Sequence, residues 1–531
     1  MCDTGGCLVV GGSGVRTPPV ASYPVSWHSM NSGPLSSRVA ELCAEVGPRV
    51  AGSAQAQLAD ISSRISQPLR VAIAGRLKAG KSTLVNSLIG RRVAPTEVGE
   101  CTRLVTQFRY GTSDRVDVVR RDGSRHSLPL DEAGMIPQRL QVQRDQISYV
   151  DVTLTSDRLR DLTVVDTPGL SSTNESISDE TRKFLFEAPV ADDIDDDSQG
   201  ALSGADAIIY VFTQSVREDD VKVLESFRTM SSRLSSNPIN SLGLFNKIDK
   251  LAPTPNGDPW PVAEPLSRSQ AKVMRRVVSD VVPVVGLLAE TTEAGRLTAQ
   301  DCEALRQLAN LPMTERQVLL AAAGLFVSRD CPVSKEQRER LLRLLDLYGI
   351  NFAVAHLAGN PTMATGDLVR MLFAASGFPR LRQTLDQAFA LRTDAIKAGG
   401  ALARIEQIAG AAERMQDREM LRDAIERVVQ QPAYHRLRLL EVAQQVTTGA
   451  VELPEQMEAE MTRLALSENS AWILGMADAA PEMQRKAAIE AATRWRAYAV
   501  GGASPAQSRV AHVVHKGFHL LAQRLSGQTA Y

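Results

Sequence analysis

The stretch VAIAGRLKAGKST, residues 71–83, decides the fold of this chain. Its first part, VAIAG, is a short apolar run of the kind that forms a strand buried on both faces. The part that follows, GRLKAGKST at residues 75–83, matches the pattern GxxxxGK[ST] of a phosphate-binding loop, or P-loop. A strand, this loop and a helix in that order predict a nucleotide-binding α/β domain.

Each position of the P-loop has a predicted role in holding a nucleotide. Gly75 and Gly80 allow backbone N–H groups to wrap around the α- and β-phosphates, and the dipole of the following helix favours the bound anion. Lys81 reaches the β- and γ-phosphates, and the Ser82 hydroxyl is a ligand for Mg²⁺. The predicted nucleotide contacts of this loop are Gly75, Lys78, Ala79, Gly80, Lys81, Ser82 and Thr83.

A second motif, DTPG at residues 166–169, ends the predicted strand LTVV. Asp166 can hold Mg²⁺ through a water molecule, and the Gly169 N–H can contact the γ-phosphate and respond to its loss. A lone DTPG can also be a simple turn at a strand end. Its position behind a P-loop favours the nucleotide-binding role.

A third motif, NKID at residues 246–249, also ends a predicted strand. Asp249 would accept hydrogen bonds from N1–H and the 2-amino group of guanine, a pattern that adenine lacks, and Lys247 would pack over the base. Asn246 belongs to the same predicted set. The three motifs in this order favour GTP over ATP as the bound nucleotide.

Two further positions of a guanine-nucleotide site carry weaker signals. Residues 289–291, Ala-Glu-Thr, fit a degenerate loop that contacts the base, with Glu290 as the candidate residue. A threonine is also needed to complete the coordination of Mg²⁺ and to sense the γ-phosphate through its backbone. Thr102 is our candidate for that threonine, and Thr96 is the alternative.

Composition limits the class of protein around these motifs. The chain has 531 residues with 60 Lys+Arg and 61 Asp+Glu, and the resulting charge of −1 argues against wholesale binding of nucleic acid. Hydrophobic residues make up 44% but aromatic residues only 5%, which favours long packed helices. Six cysteines without a CxxC pair fit a reducing cytoplasm. We find no apolar stretch of about 18 residues and therefore predict no membrane-spanning helix.

The pattern along the chain predicts its domains. Short apolar runs between residues 70 and 290 predict a doubly wound, mostly parallel sheet in an α/β P-loop domain. The Ala-, Leu- and Arg-rich remainder predicts an elongated α-helical bundle or trunk. We expect a disordered leader at 1–34, a helical segment at 35–66 that packs with the trunk, a GTPase head at 67–390 and the trunk at 391–531.

Four segments together give a family resemblance. GRLKAGKSTLVNSLIG, PTEVGECTRLVTQFRYG, DTPGL and FNKIDKL resemble the bacterial dynamin-like GTPases, and most of all the mycobacterial isoniazid-inducible dynamin-like proteins. These motifs cover about residues 70–250, and the helical remainder matches in layout alone. The resemblance implies a dynamin-type head that hydrolyses Mg²⁺-GTP and associates with a second head.

The same resemblance implies work at a membrane. It predicts a peripheral protein on the cytoplasmic face of the cell membrane that binds anionic lipids through a tip and remodels the membrane by fission or fusion. A related dynamin-like protein is a further implied partner, and nucleic acid is not. Two alternatives stay open: a soluble regulatory GTPase of the ribosome or cell-division machinery, and a nucleotide-gated scaffold with little turnover.

One departure concerns the residues that assist hydrolysis. Leu170 follows DTPG, where Ras-like proteins carry the glutamine that orients water. Dynamin-like relatives commonly have a polar residue after the first P-loop glycine, and here that residue is Arg76, with Lys78 two positions further on. Either cation could neutralise charge in the transition state, and we favour Lys78. The alternative is surface charge near a polyphosphate.

The best candidate for a membrane-facing tip lies near the C-terminus. RWRAYAVGGASPAQSR, residues 494–509, combines basic and aromatic residues around a Gly-Gly break. The candidate membrane residues are Arg494, Trp495, Arg496 and Tyr498. The alternative is an ordinary turn of a bundle with Trp495 in its core. A second Gly-Gly pair, Gly399 and Gly400, predicts a helix break or a hinge.

Overall fold

A computed structural model describes most of the chain. The described residues are 33–95, 104–167, 205–217, 220–221, 224–225, 240–251, 258–389, 392–447, 449–467, 469–476 and 479–527. Thr96, Thr102, Gly169 and Leu170 lie outside these ranges, so the predictions made for them are not tested by the fold. The same holds for nearly all of the predicted leader.

A nine-stranded mixed sheet forms the centre of the fold, with strand order β4-β3-β5-β2-β6-β1-β7-β8-β9. The P-loop strand β1 lies between β6 and β7 and runs parallel to both. The pairs β7–β8, β8–β9 and β2–β5 are also parallel, and β2–β6, β3–β4 and β3–β5 are antiparallel. The strands are Leu69–Gly75 (β1), Thr106–Tyr110 (β2), Arg115–Arg120 (β3), Arg125–Leu128 (β4), Ile147–Leu154 (β5), Leu162–Asp166 (β6), Ala207–Phe212 (β7), Ser241–Asn246 (β8) and Val281–Val284 (β9).

Each face of the sheet has its own hydrophobic core, because successive side chains of a strand point to opposite faces. Val71 and Ile73 of β1 belong to one core, and Ala72 and Ala74 belong to the other. Burial on both faces explains why β1, β7 and β8 are almost entirely apolar. The predicted α/β fold with a helical remainder is therefore confirmed.

Strands β3 to β5 are the part of the sheet that the sequence did not predict. One face of this part carries buried acids, and Asp151 binds Arg109 and Arg125 while Asp117 binds Arg115. These charged residues interrupt the apolar pattern that identifies a buried strand. The last strand, β9, ends at Val284, and a helix begins two residues later at Gly286.

Helices cover both faces of the sheet. The N-terminal helices lie in the same core as Val71 and Ile73, together with the helices Thr393–Ala411 and Met415–Val429. The backbone N–H of Leu35 and of Ser36 donate to the Asp394 carboxylate, which ties the N-terminal segment to this later helix. The helices of the head whose bounds the structure describes are Pro34–Val46, Ser53–Ile65, Lys81–Ile89, Trp260–Met274, Gly286–Glu293, Ala299–Ala309, Met313–Leu319, Ala323–Ser328, Lys335–Gly359, Thr365–Ala375 and Phe378–Ala388.

One helix of the described part, Lys335–Gly359, is long and apolar enough to cross a membrane, in contrast to the expectation of no such stretch. Its Leu341, Leu345 and Ile350 side chains are buried in the core on the second face of the sheet. Core helices of soluble domains pass the same test of length and composition. We therefore assign this helix to the interior of the head.

The C-terminal part forms a separate helical bundle with its own core. We call residues 432–527 the C-terminal bundle. Its helices are Pro432–Thr447, Glu455–Leu466, Ser470–Leu474, Pro481–Val500 and Pro505–Leu525. The first of them joins the two parts, since its Leu437 lies in the core beneath the sheet and its Leu439 in the bundle core. The predicted break at Gly399 and Gly400 is wrong, because both lie inside the continuous helix Thr393–Ala411.

Candidate functional site

The backbone of the P-loop requires glycine at two positions. Gly75, the last residue of β1, has φ +146°, and a Cβ there would lie 2.1 Å from the carbonyl oxygen of Val211 on β7. Gly80 has φ +95°, and a Cβ there would lie 2.3 Å from Nδ2 of Asn246. The helix Lys81–Ile89 starts at the next residue. The loop therefore turns directly from the strand into the N-terminus of a helix, which is the geometry of an anion site.

Lys81 lies at the first turn of this helix with its side chain buried. Its Nζ donates to the carbonyl oxygens of Gly75 at 3.1 Å and Arg76 at 3.0 Å. Burial lowers the pKa of Lys81, and the nearby Asp166 carboxylate opposes that change. The ammonium group of Lys81 therefore lies inside the P-loop, where the sequence predicts that it binds phosphate.

Ser82 and Asp166 bring together the two oxygens predicted to hold a metal ion. The Ser82 hydroxyl donates to Asp166 Oδ2 at 2.9 Å. Desolvation raises the pKa of Asp166 to about 6, against the opposing effects of Lys81 and Ser82. Its other oxygen, Oδ1, is buried without a hydrogen-bond partner among the described residues. Hydroxyl and carboxylate oxygens are the donors that Mg²⁺ prefers, so this pair fits that ion.

Asn246, at the end of β8, connects three segments of the site. Its Nδ2 donates to the Ala79 carbonyl oxygen at 2.8 Å. Its Oδ1 accepts from the backbone N–H of Lys247 at 2.8 Å and of Gly286 at 2.9 Å. The NKID motif, the P-loop and the start of the helix Gly286–Glu293 are therefore fixed relative to one another.

The two charged residues of NKID, Lys247 and Asp249, have different surroundings. Lys247 has φ +59°, and its Nζ donates to the Lys78 carbonyl oxygen at 2.8 Å. Asp249 is largely buried, which raises the pKa of its carboxyl group. The neighbouring Lys250 extends its ammonium group to Asp346, at 2.5 Å, and lies 3.8 Å from Asp249 Oδ2.

Arg76 and Lys78, the two candidate cations, have different environments. Arg76 makes a two-point ion pair with Asp220, from Nε at 2.8 Å and from Nη2 at 2.6 Å. Tyr210 on β7 donates its hydroxyl to the same carboxylate at 2.5 Å. The side chain of Lys78 is exposed instead. Arg76 is therefore already paired with an acid, whereas the exposed Lys78 side chain can approach a ligand.

The predicted base contact of Glu290 is wrong. The residue lies in the helix Gly286–Glu293 rather than in a loop, and its carboxylate accepts from Nδ2 of Asn86 at 2.8 Å. Arg296 lies 3.6 Å away and Arg92 lies 4.0 Å away. This acid satisfies a buried polar group behind the P-loop helix. Its carboxylate is therefore occupied inside the protein and does not face a base-binding loop.

The predicted membrane contact of Trp495 is also wrong. Its indole ring is fully buried in the core of the C-terminal bundle, and Nε1 donates to Glu460 at 3.1 Å. Arg494 pairs with the same carboxylate at 2.9 Å, and the half-buried Tyr498 packs edge-on against the indole. Of the four candidates, Arg494 and Arg496 are exposed, and Arg496 is the one that forms no ion pair with the described residues. The aromatic residues of this stretch serve the bundle core.

Three residues near the site were missed by the sequence reasoning: Tyr210, Asp220 and Asp346. Asp220 lies in the polar run SVREDD and Asp346 lies inside a helix, so neither belongs to a nucleotide-binding motif. Asp346 has φ +51°, which is unusual for a residue with a side chain. No local pattern in the sequence identifies such a position.

Comparison with known proteins shows which family this chain resembles in sequence. Residues 71–247 match the sequence signature of the dynamin family. The isoniazid-induced protein IniC of Mycobacterium tuberculosis is 30% identical over 455 residues, which cover 84% of this chain and 88% of that protein. The bacterial dynamin-like protein of Nostoc punctiforme is 29% identical over 117 residues, covering 20% of this chain and 17% of that protein.

A solved structure of an oligomerised bacterial dynamin pair is a more distant match. It has 13% sequence identity and a TM-score of 0.34, with 92% of this chain and 90% of that chain covered.

Proposed function

The chain belongs to the dynamin family, a family of GTPases, and we propose that it hydrolyses GTP to GDP and phosphate at the P-loop. One observation carries the proposal. Asn246 Nδ2 binds the Ala79 carbonyl while Lys81 and Ser82 open the next helix, so one loop connects the base-reading motif to the phosphate-binding groups. A purely structural loop of this shape would not need the buried lysine, whose charge is costly to remove from water.

We assign binding roles from these positions. The backbone N–H groups of Ala79 to Thr83 and the ammonium group of Lys81 bind the phosphates, and they stabilise the charge that spreads over the γ-phosphoryl oxygens as water attacks. Asp249 accepts from the guanine ring, and Lys247 packs over it. These roles follow the motifs, and the hydrogen bonds around Asn246 support them.

Magnesium is the implied metal ion. Ser82 and Asp166 would hold it, and Thr102 would complete the set. When bound, the ion neutralises phosphate charge. The buried Oδ1 of Asp166, which has no hydrogen-bond partner in the described part of the chain, supports this assignment.

Lys78 is our candidate for the cation that assists the transition state. Its side chain is exposed at the P-loop, whereas the guanidinium group of Arg76 is bound by Asp220. Because Arg76 already neutralises a buried acid, its use at the phosphates would require that ion pair to open. Lys78 needs no such change.

Turnover of purified protein tests the proposal. Lys81→Ala should abolish phosphate release from GTP, and Lys335→Ala, which replaces an exposed lysine at the first turn of the helix Lys335–Gly359, should leave it unchanged. Removing Mg²⁺ with EDTA should stop the reaction, and adding Mg²⁺ back should restore it. Hydrolysis that survives Lys81→Ala would refute the assignment of the P-loop.

We further propose that the protein binds anionic lipids peripherally on the cytoplasmic face of the cell membrane and remodels that membrane. The membrane-facing tip is revised to the turn between the last two helices, since Trp495 is unavailable for contact with lipid. Val500 is 77% exposed at the end of the helix Pro481–Val500, and it is followed by Gly501 and Gly502. The exposed Arg496 lies one turn earlier. An apolar tip next to a cation suits an anionic interface.

Co-sedimentation with anionic liposomes tests this second proposal. Arg496→Glu combined with Val500→Asp should reduce the bound fraction several-fold and leave GTP affinity unchanged. Replacing the exposed Met483 and Ile489 of the same helix by Asp is the matched control, because these residues lie further from the turn. No binding by the wild-type protein would instead favour a soluble regulatory GTPase or a scaffold.

Self-association through the head is the last part of the proposal. Leu77 is an exposed apolar residue between Arg76 and Lys78 at the P-loop, and such a residue is suited to contact a second head. Light scattering should show a dimer with a non-hydrolysable GTP analogue and a monomer with GDP. Leu77→Asp should keep the protein monomeric in both states.

A further inference from the structure

Asp346 has a strained backbone inside an otherwise regular helix. It lies within Lys335–Gly359 with φ +51° and ψ −178°, a combination that glycine adopts and that residues with a side chain avoid. Such strain persists only where the surroundings impose it, and it clusters at functional sites. The position therefore needs an explanation in terms of what the side chain contacts.

The surroundings hold this kink in place. The Thr291 hydroxyl donates to the Leu344 carbonyl oxygen at 2.5 Å, just before the kink. After the kink, Gly349 packs so closely on Leu288 that a Cβ would lie 2.5 Å from its Cδ2. Leu345, next to the strained residue, is fully buried. Both halves of the helix are thus fixed against the helix Gly286–Glu293 and the core.

The kink directs the Asp346 side chain to the guanine-reading motif. Its Oδ2 accepts from Lys250 Nζ at 2.5 Å, and Lys250 follows directly after Asp249. The same ammonium group lies 3.8 Å from Asp249 Oδ2. Two carboxylates therefore compete for one lysine, and Asp346 has the shorter contact.

We propose that Asp346 is a positioning residue for guanine recognition: it holds Lys250 away from Asp249, so that both carboxylate oxygens of Asp249 stay available to the base. The inference rests on the proposed function, since it requires GTP to bind at this motif. Without Asp346, the ammonium group has to move about 1 Å to make a direct ion pair with Asp249. That ion pair would occupy an oxygen that guanine N1–H or the 2-amino group needs.

The burial of Asp249 strengthens its attraction for the ammonium group of Lys250. A largely buried carboxylate gains more from a cation than an exposed one does, because the local dielectric constant is lower. Desolvation raises the pKa of Asp249, Lys250 acts in the opposite direction, and Asp346 adds to the rise. Lys250 nevertheless keeps the shorter contact with Asp346, at 2.5 Å against 3.8 Å to Asp249 Oδ2.

Two variants of Asp346 test the inference. Asp346→Asn keeps the size of the side chain and tolerates positive φ, and Asp346→Gly removes the side chain while it suits the backbone. Each should weaken binding of fluorescent mant-GTP about tenfold, the effect of one charge-assisted hydrogen bond. Binding of ATP, measured by competition, should not change, so the preference for GTP falls by the same factor. Asp346→Gly relieves the strain but also removes the acceptor of the Leu347 backbone N–H, which Asp346 Oδ1 binds at 2.6 Å, so its melting temperature should change little.

A second substitution separates positioning from a merely structural role. In the Asp346→Asn background, Lys250→Gln removes the competing cation and should restore most of the lost GTP affinity; the single Lys250→Gln variant completes the cycle. Asp367→Asn is the matched control, because this exposed acid pairs with Arg370 within its own helix. A double variant as weak as Asp346→Asn, or Asp346 variants that bind GTP like the wild type, would overturn the inference. Wild-type protein that binds no GTP would instead refute the proposed function itself.

Discussion

The side-chain amide of Asn246 donates a 2.8 Å hydrogen bond to the backbone carbonyl of Ala79, and these two residues lie 167 positions apart in the sequence. The motif proposed to read the base and the loop proposed to hold the phosphates are therefore one unit. A substitution that displaces one of these two residues should therefore also displace the other.

Gly80→Ala should disrupt this contact. The new Cβ would lie 2.3 Å from Asn246 Nδ2, and the backbone would be strained at φ +95°. We expect a loss of about 2 kcal/mol in the free energy of unfolding and a loss of GTP binding of more than tenfold. Gly123→Ala is the matched control, since it has φ +80° and no atom within 4 Å of its Cβ. Equal effects of both variants in urea unfolding would mean that backbone strain alone is responsible.

Asp220→Ala should destabilise the head. It removes the acceptor of both the Arg76 guanidinium and the Tyr210 hydroxyl, which leaves a cation and a buried donor without a partner. We expect about 2–3 kcal/mol of lost stability, because Arg76 keeps some exposure to solvent. Asp157→Ala, which breaks an exposed ion pair with Arg160, should cost less than about 0.5 kcal/mol. Chemical denaturation measures both changes.

Lys78 and Arg76 should differ in their effect on turnover. Lys78→Ala should lower kcat at least tenfold with little change in stability, because its exposed side chain makes no ion pair among the described residues. Arg76→Lys keeps a cation beside Asp220 and should lower kcat less than threefold. Steady-state phosphate release measures both values. A larger effect of Arg76→Lys would show that the Arg76–Asp220 pair opens during the reaction.

Trp495→Ala should unfold the C-terminal bundle rather than affect lipid binding directly. The ring is fully buried, so its removal leaves a large cavity and an unpaired Glu460 oxygen. We expect a loss of about 3–5 kcal/mol. Trp472→Ala, where the ring is half-exposed, should cost about 1 kcal/mol or less. Thermal unfolding followed by circular dichroism distinguishes the two variants, and equal melting temperatures would contradict the burial of Trp495.

His435 should make the stability of the protein depend on pH. Burial lowers the pKa of His435 from 6.5 to about 4, and Lys516 adds to that shift. Above pH 6.5 both the folded and the unfolded protein carry a neutral imidazole, so this contribution to stability is complete. As the pH falls from 6.5 towards 4, His435 becomes protonated in the unfolded chain but stays neutral in the folded protein. Stability then decreases by about 1.4 kcal/mol per pH unit, to a total of about 3 kcal/mol.

Urea unfolding at pH 7.5 and pH 5.0 measures this effect. His435→Gln should remove about 2 kcal/mol of the difference between the two values. His512→Gln, a substitution of an exposed histidine on the last helix, should leave the difference unchanged. A pH dependence that survives His435→Gln would assign the effect to other groups.

The sequence predicted the strands that are buried on both faces and failed for the strands with one charged face. β1, β7 and β8 show as continuous apolar runs, whereas β3 and β5 carry Asp117 and Asp151 among their apolar residues. Asp151 is bound by Arg109 of β2 and Arg125 of β4, whereas Asp117 pairs with Arg115 of its own strand and accepts from the Ser127 hydroxyl of β4. The contacts made across the sheet leave no periodic signal within one segment.

The same distinction explains the errors at the functional positions. Glu290 and Trp495 were assigned from their residue types in a short segment, and each turned inward when its helix packed. When apolar residues occur on more than one face of a helix, the local sequence pattern does not show which face packs against the core. Asp220 and Asp346 were missed for the opposite reason, since nothing near them in the sequence marks them as part of a site.

What the sequence determined by itself is the P-loop, because phosphate binding there depends on consecutive backbone groups, on glycines at fixed spacing and on the lysine and serine that start the next helix. DTPG and NKID follow the same logic at the ends of strands. What only the tertiary structure decided is the environment of these groups. Arg76 meets Asp220 across 144 positions, and Lys250 meets Asp346 across 96. Contacts between segments so far apart form only when the sheet and its helices have packed, and so they are properties of the fold.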